Sequence, residues 1–175
     1  MIARLLFAVV VCAVALHGQD VKAKTYVNPE GCFKTYRLAT GRVLTSKGLI
    51  EDPTVNAIMK DVVATQMSKL KIAEANTGAE LEVRFMGGTG AGIQEDAAVN
   101  VGDIMMWDLS GGQSVPGRTY KKSTLVFGIV ETRTNRTLWA ARCTDKFGDP
   151  AKMRERIEKA VAKAFTKFPK KAVCN

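Results

Sequence analysis

Carboxylates that stand close together are the first residues able to do chemistry, and the chain has three such pairs: Glu80/Glu82, Glu95/Asp96 and Asp103/Asp108. Two carboxylates about 5–10 Å apart across a sugar suffice for glycoside hydrolysis, one as acid and the other as base or nucleophile. Glu80 and Glu82 are two residues apart in an alternating segment and so share one strand face. A solvated strand face carries such residues by default. The loop carboxylates have the chemistry for a cation such as calcium, but no D-x-D-x-D-G-x5-E pattern surrounds them. Gly87-Gly88-Thr89-Gly90-Ala91-Gly92 follows a strand pattern, where a phosphate-cradling loop would stand, yet no Gly-Lys-Ser/Thr comes after it. Ser68-x-x-Lys71 has the spacing of some serine acyl-enzymes, but the companion S-D-N and K-T-G motifs are absent. Helical geometry also turns Ser68 away from the apolar stripe, towards solvent. A single histidine, His17, and the lack of any C-x-x-C leave zinc without a plausible ligand set. The expectation is therefore no catalytic residue, no metal and no cofactor; a histidine-free hydrolase acting through paired carboxylates stands as an alternative.

The end of the chain offers a different chemistry. Arg156, Lys159, Lys163 and Lys167, with Lys152 a turn earlier, form one basic stripe on a helical segment. At about 100° per residue, its centre lies about 120° from the apolar stripe, so it flanks the core face and stays exposed. Cations so placed meet an anionic surface, whether lipid headgroups, acidic glycan or acidic envelope proteins. The same lysines also serve as a solvated face whose stems cover apolar edges. Charge reversal of Lys159, Lys163 and Lys167 is expected to abolish anion binding and leave the fold intact. Residues 118–175 carry fifteen Lys/Arg against five Asp/Glu, a net of +10, whereas residues 24–117 carry nine against eleven, a net of −2. Nucleic acid is not expected as a partner, because no aromatic residues interleave with the basic ones.

What positions these residues begins with what is removed. Arg4 followed by the apolar run Leu5–Leu16 and then Val21-Lys22-Ala23 reads as a secretory signal peptide over 1–23. Cleavage after about Ala23 leaves 152 of the 175 residues as one domain, 24–175, exported to the periplasm or cell envelope and lacking His17. Val11 is not the small residue that should precede a lipid-attachment cysteine, so no lipid anchor is expected at Cys12. No later apolar run approaches the roughly 20 residues of a membrane helix. Cys32, Cys143 and Cys174 remain as disulfide candidates. An oxidising compartment favours pairing, and three cysteines allow three single bridges.

The scaffold is legible from periodicity. Cys32–Leu38 reads as a strand, and Ala39–Leu49 as a connection. Asp52-Pro53 is a helix start, and Val55, Ile58, Met59, Val62 and Leu70 fall on one face of a helix running to about Lys71. Leu81, Val83 and Phe85 alternate with Glu80, Glu82 and Arg84, a strand with one solvated face. Residues 87–117 form a glycine-rich loop with a short apolar run at Ile104–Trp107. Thr124–Val130 and Leu138–Thr144 pair as a hairpin through Thr134-Asn135, placing Trp139 in the core, and Asp149-Pro150 opens a last helix that stops before Pro169. These elements predict an α/β (α+β) two-layer sandwich: a mixed, largely antiparallel sheet of four to five strands with two helices packed on one face.

Several of these segments resemble the bacterial domain-of-unknown-function 4136 family. The resemblance lies in Ser123-Thr124-Leu125-Val126-Phe127-Gly128-Ile129-Val130-Glu131, Thr137-Leu138-Trp139 and the closing Lys167-Phe168-Pro169. Phe33-Lys34-Thr35-Tyr36 and Asp52-Pro53 fit its first strand and first helix. The resemblance covers roughly residues 32–170 and implies a cell-envelope protein, often lipid-anchored, with no established activity and no catalytic residue to carry over. Glu131 stands where that family usually has aspartate, and the three cysteines suggest a bridge foreign to its pattern.

Overall fold

The computed structural model describes residues 19–45, 48–88, 123–145, 147 and 150–174. The hydrophobic core of the signal segment, Cys12, the loop glycines after Gly88, the pairs Glu95/Asp96 and Asp103/Asp108, the run Ile104–Trp107, and Asp149 lie outside them.

The fold is α+β. Among the described residues, eight strands form one mixed, mostly antiparallel open sheet: β1 (Asp20–Thr25), β2 (Thr35–Leu38), β3 (Arg42–Thr45), β4 (Gly48–Ile50), β5 (Ala73–Glu74), β6 (Leu81–Gly88), β7 (Ser123–Glu131) and β8 (Arg136–Asp145). Their order is β1-β8-β7-β6-β2-β5, with β3 continuing beside β6 past the end of β2 and β4 pairing with β3. Helix α1 spans Pro53–Lys69 and α2 spans Met153–Phe165; a 3-10 turn, Lys170–Ala172, follows. The sheet thus has more strands than expected. The additional ones are β1, in residues assigned to the signal segment and its lead-in, the β3–β4 hairpin, in the assumed connection, and the two-residue β5.

Each element follows from local sequence. Asp52 caps α1, its Oδ1 accepting from the Thr54 and Val55 amides at 2.9 and 3.1 Å, and Pro53 costs no hydrogen bond at the first position. Asn56 fixes where that helix begins: its side chain accepts from the Gly41 amide at 2.8 Å and donates to the Gly41 carbonyl at 3.2 Å. Gly41 must be glycine, since a Cβ there would lie 2.2 Å from the Phe85 ring. The β7–β8 turn uses Asn135 at φ 51°, a left-handed conformation that asparagine tolerates. Helix α2 starts at Met153, later than Asp149-Pro150 suggested, and Lys152 at its N-cap makes no side-chain cap.

The core lies between the helices and one sheet face. Val55, Ile58, Met59, Val62, Val63 and Met67 of α1 and Ile157, Ala160, Val161, Ala164 and Phe165 of α2 pack on Leu81, Val83, Phe85, Leu125, Phe127, Ile129 and Trp139. Trp139 is fully buried, with the Phe127, Phe165 and Phe168 rings each 5.6 Å away, centroid to centroid.

Candidate functional site

The basic stripe on α2 is not a uniform free surface. Lys159 is salt-bridged to Glu155 at 2.5 Å, one turn back, which holds the Glu155 carboxyl below the usual carboxylate range. Lys163 donates to the Gln19 carbonyl at 2.8 Å, and Lys167 donates to the Val21 carbonyl at 2.7 Å. The backbone carbonyl of Arg156 accepts from the Gln19 side chain at 2.9 Å, and that side chain also donates to Asp145 at 2.7 Å. Thus Lys163 and Lys167 cover the open edge of β1, a strand that would otherwise present unpaired carbonyls to another chain. This corrects one expectation. Glutamates at 163 and 167 would set carboxylates against those carbonyls, so charge reversal there disturbs the fold as well as the surface. Of the five candidate residues, Lys152 and Lys159 are exposed and not tied to β1.

β1 adds cations that sequence reasoning missed. It pairs antiparallel with β8 along its whole length, Val21 opposite Cys143 and Lys22 opposite Arg142. Val21 is buried in the core, so alternation turns Lys22 and Lys24 to the opposite sheet face, where both are exposed beside Arg142. Lys22 lies 3.9 Å from Asp20, and Lys24 sits 4.8 Å from the centroid of the Tyr26 ring. The signal for this strand was the period-two run Val21-Lys22-Ala23-Lys24, which the signal-peptide assignment divided. Lys163 and Lys167 therefore reach the β1 edge from the helix side of the sheet, while Lys22, Lys24 and Arg142 stand along the same edge on the opposite face.

The candidate carboxylates Glu80 and Glu82 do share a strand face, but each is held by donors. Glu80 accepts from the Lys34 and Thr35 amides at 2.6 and 3.1 Å and so fixes the start of β2. Glu82 is buried and bridges Arg37 and Arg84. Arg84 also reaches Asn135 at 3.2 Å. Burial pushes the Glu82 carboxyl up, but hydrogen bonds from Arg84 and Arg37, and then their charge, outweigh it and leave it below the ordinary range. A general acid needs the opposite shift. A carboxylate whose folded pKa is lowered stabilises the fold above its unfolded pKa of about 4.3, and that contribution is lost as pH falls through the folded value. Glu82→Gln is expected to cost about 2–3 kcal/mol at pH 7, because two guanidinium groups lose their counter-charge. Thermal unfolding across pH 3–7 checks this: the deficit should shrink below about pH 4, and a deficit constant with pH would refute the ion-pair account.

The cysteines resolve the open choice. Cys32 and Cys174 form a disulfide, and Cys143 is free and buried. Burial pushes the Cys143 thiol up to about 12, which leaves it unreactive at neutral pH. Beside the disulfide, the Phe33 amide donates to the Ala172 carbonyl at 3.0 Å, so the tail runs alongside the entry to β2.

A groove of about 550 Å³ lies between the outer surfaces of α1 and α2, crossed by an Arg154–Asp61 pair at 3.1 Å. Arg154 also lies 3.7 Å from Glu158, so this arginine is shared between two carboxylates. Among the described residues, no cluster of three His, Cys, Asp or Glu could hold a metal, and no helix is long and apolar enough to cross a membrane.

A crystal structure of a DUF4136 family protein from Bacteroides thetaiotaomicron is similar, with 15% identity, 87% of this chain and 96% of that chain covered, and a TM-score of 0.57. A PelC dodecamer from Paraburkholderia phytofirmans shares 10% identity over 84% of this chain and 96% of that one, with a TM-score of 0.50. A PDZ domain protein from Parabacteroides distasonis shares 10% identity over 89% of this chain and 37% of that one, with a TM-score of 0.51. No curated protein matches. These identities speak to the fold alone. The family described as "Domain of unknown function (DUF4136)" matches residues 24–170, most of the sequence, and the chain belongs to that family.

Proposed function

We propose that this protein is an exported, non-enzymatic domain of the bacterial cell envelope that binds an anionic surface electrostatically. The observation that carries this reading is the convergence of cations at the β1 edge: Lys22 and Lys24 on one side, Arg142 beside them, and the lysines of α2 on the other. The apolar run Leu5–Leu16 behind Arg4 and the Cys32–Cys174 disulfide support export, since such bonds persist in oxidising compartments. Of the candidate carboxylates among the described residues, Glu80 accepts from two backbone amides and Glu82 is bridged by two guanidinium groups, which favours binding over hydrolysis.

Vesicle co-sedimentation tests it. The purified protein should pellet with phosphatidylglycerol vesicles and not with phosphatidylcholine vesicles at low salt. Binding should fade as the Debye length falls from about 30 Å at 0.01 M to about 10 Å at 0.1 M. Each neutralised lysine near such a surface is worth about 1 kcal/mol. The triple variant Lys22→Gln, Lys24→Gln, Lys159→Gln should therefore lose on the order of a hundredfold in affinity with its unfolding midpoint nearly unchanged. Equal pelleting of variant and parent, or no pelleting at low salt, would defeat the reading.

A further inference from the structure

We infer that the export signal is removed after Ala15, within Ala13-Val14-Ala15, so that the mature chain begins at Leu16 and keeps both His17 and the whole of β1. The inference rests on the export reading above.

A cut after Ala23, where Val21-Lys22-Ala23 also fits a cleavage pattern, falls inside β1. It would remove Asp20–Ala23, four residues whose ladder partners are Thr144, Cys143, Arg142 and Ala141. Val21, only 6% exposed and part of the core, would go with them, uncovering Cys143. Gln19 would be lost with its hydrogen bonds to Asp145 and to the Arg156 carbonyl. Lys163 and Lys167 would lose the carbonyls they hold. Residues 19–23 are thus built into the domain against both β8 and the last helix with its exit, whereas a leader is discarded.

Cleavage must therefore lie upstream of Gln19. There, Ala13-Val14-Ala15 puts small residues at both the −3 and −1 positions. Leu5–Cys12 before it is an apolar run of eight, within the usual span for a signal core. Cutting after Leu16 or His17 would place a large residue at −1, and cutting after Gly18 would place Leu16 at −3. A leader peptidase of the exporting membrane breaks the Ala15–Leu16 amide with one water, giving a carboxylate on Ala15 and a free amine on Leu16.

The experiment is expression of the full chain in an exporting bacterium, fractionation, and N-terminal sequencing with intact mass. The expected product, in the periplasmic or membrane fraction, starts Leu-His-Gly-Gln-Asp and retains the Cys32–Cys174 bond. Ala15→Leu should accumulate precursor, while Ala23→Leu should be processed like the parent. A start at Lys24, or a lipid-blocked start at Cys12, overturns the inference while leaving export standing. Unprocessed chain confined to the cytoplasm overturns the export reading itself. A second measurement uses thiol titration. Cys143 should stay masked in chain 16–175 and become reactive in chain 24–175; equal masking in both would count against a structural need for residues 19–23.

Discussion

Replacing Cys32 and Cys174 by serine is expected to lower stability by about 3–5 kcal/mol, the larger figure being the chain-entropy value for a loop of this length. The two residues are 142 positions apart, so the bond closes nearly all of the domain into one loop, and a longer loop restricts the unfolded chain more. On the folded side the bond holds the C-terminal tail against the entry to β2, where Phe33 bridges Val173. For a domain near 150 residues, 1 kcal/mol shifts Tm by about 2–4 °C, so a fall of roughly 10 °C is the expected reading in calorimetry. The single variants should match the double, and dithiothreitol should bring the parent down to the same value. Cys143→Ala in the parent background should leave the redox dependence intact, since that thiol takes no part in the bond. A parent whose Tm ignores reductant would refute the assignment.

How much of this was legible depended on whether a signal was local. Asp52-Pro53, the apolar spacing of α1 and the alternation of Leu81, Val83 and Phe85 act within one or two turns, and the structure reproduces them. So do the Thr134-Asn135 connection and the burial of Trp139. β1 was missed for a physical reason: its alternation begins in residues that also satisfy a cleavage-site pattern, and its pairing with β8 lies more than a hundred residues away. β3 and β4 were missed because strands of four and three residues are too short to show an alternation of their own, and β3 owes its place to pairing with the distant β6 and β4 to pairing with β3. The choice of Cys32 with Cys174 needed the tail's position beside β2. Of the five stripe residues, Arg156, Lys159 and Lys163 lie on the last helix, Lys152 at its N-cap and Lys167 just past its end, and periodicity does not show that Lys163 and Lys167 would meet the backbone carbonyls of Gln19 and Val21. The solvated face expected for Glu82 failed likewise, because Arg37 comes from β2, a parallel neighbour reached only through α1.

Trp139 is where sheet and helix hold each other, and its truncation should be the costliest single change in the core. The ring is fully buried on β8, with Phe127 from the adjacent strand and Phe165 and Phe168 from α2 and its exit all within 5.6 Å, centroid to centroid. Trp139→Ala is expected to cost about 3–5 kcal/mol, from lost transfer energy and a cavity that the three rigid aromatic neighbours cannot close. Trp139→Phe should behave differently. The indole Nε1 is buried with no hydrogen-bond partner among the described residues, and such an unsatisfied group carries a desolvation cost of about 1–3 kcal/mol. Phenylalanine deletes that donor along with a few ring atoms, so gain and loss nearly cancel and a change within about 1 kcal/mol is expected. Urea unfolding followed by circular dichroism decides it, with the slope required to stay constant so that midpoints report stability. A Trp139→Phe variant as damaged as Trp139→Ala would mean that the indole N–H is satisfied in solution and that the ring's polar edge, as well as its bulk, holds α2 to the sheet.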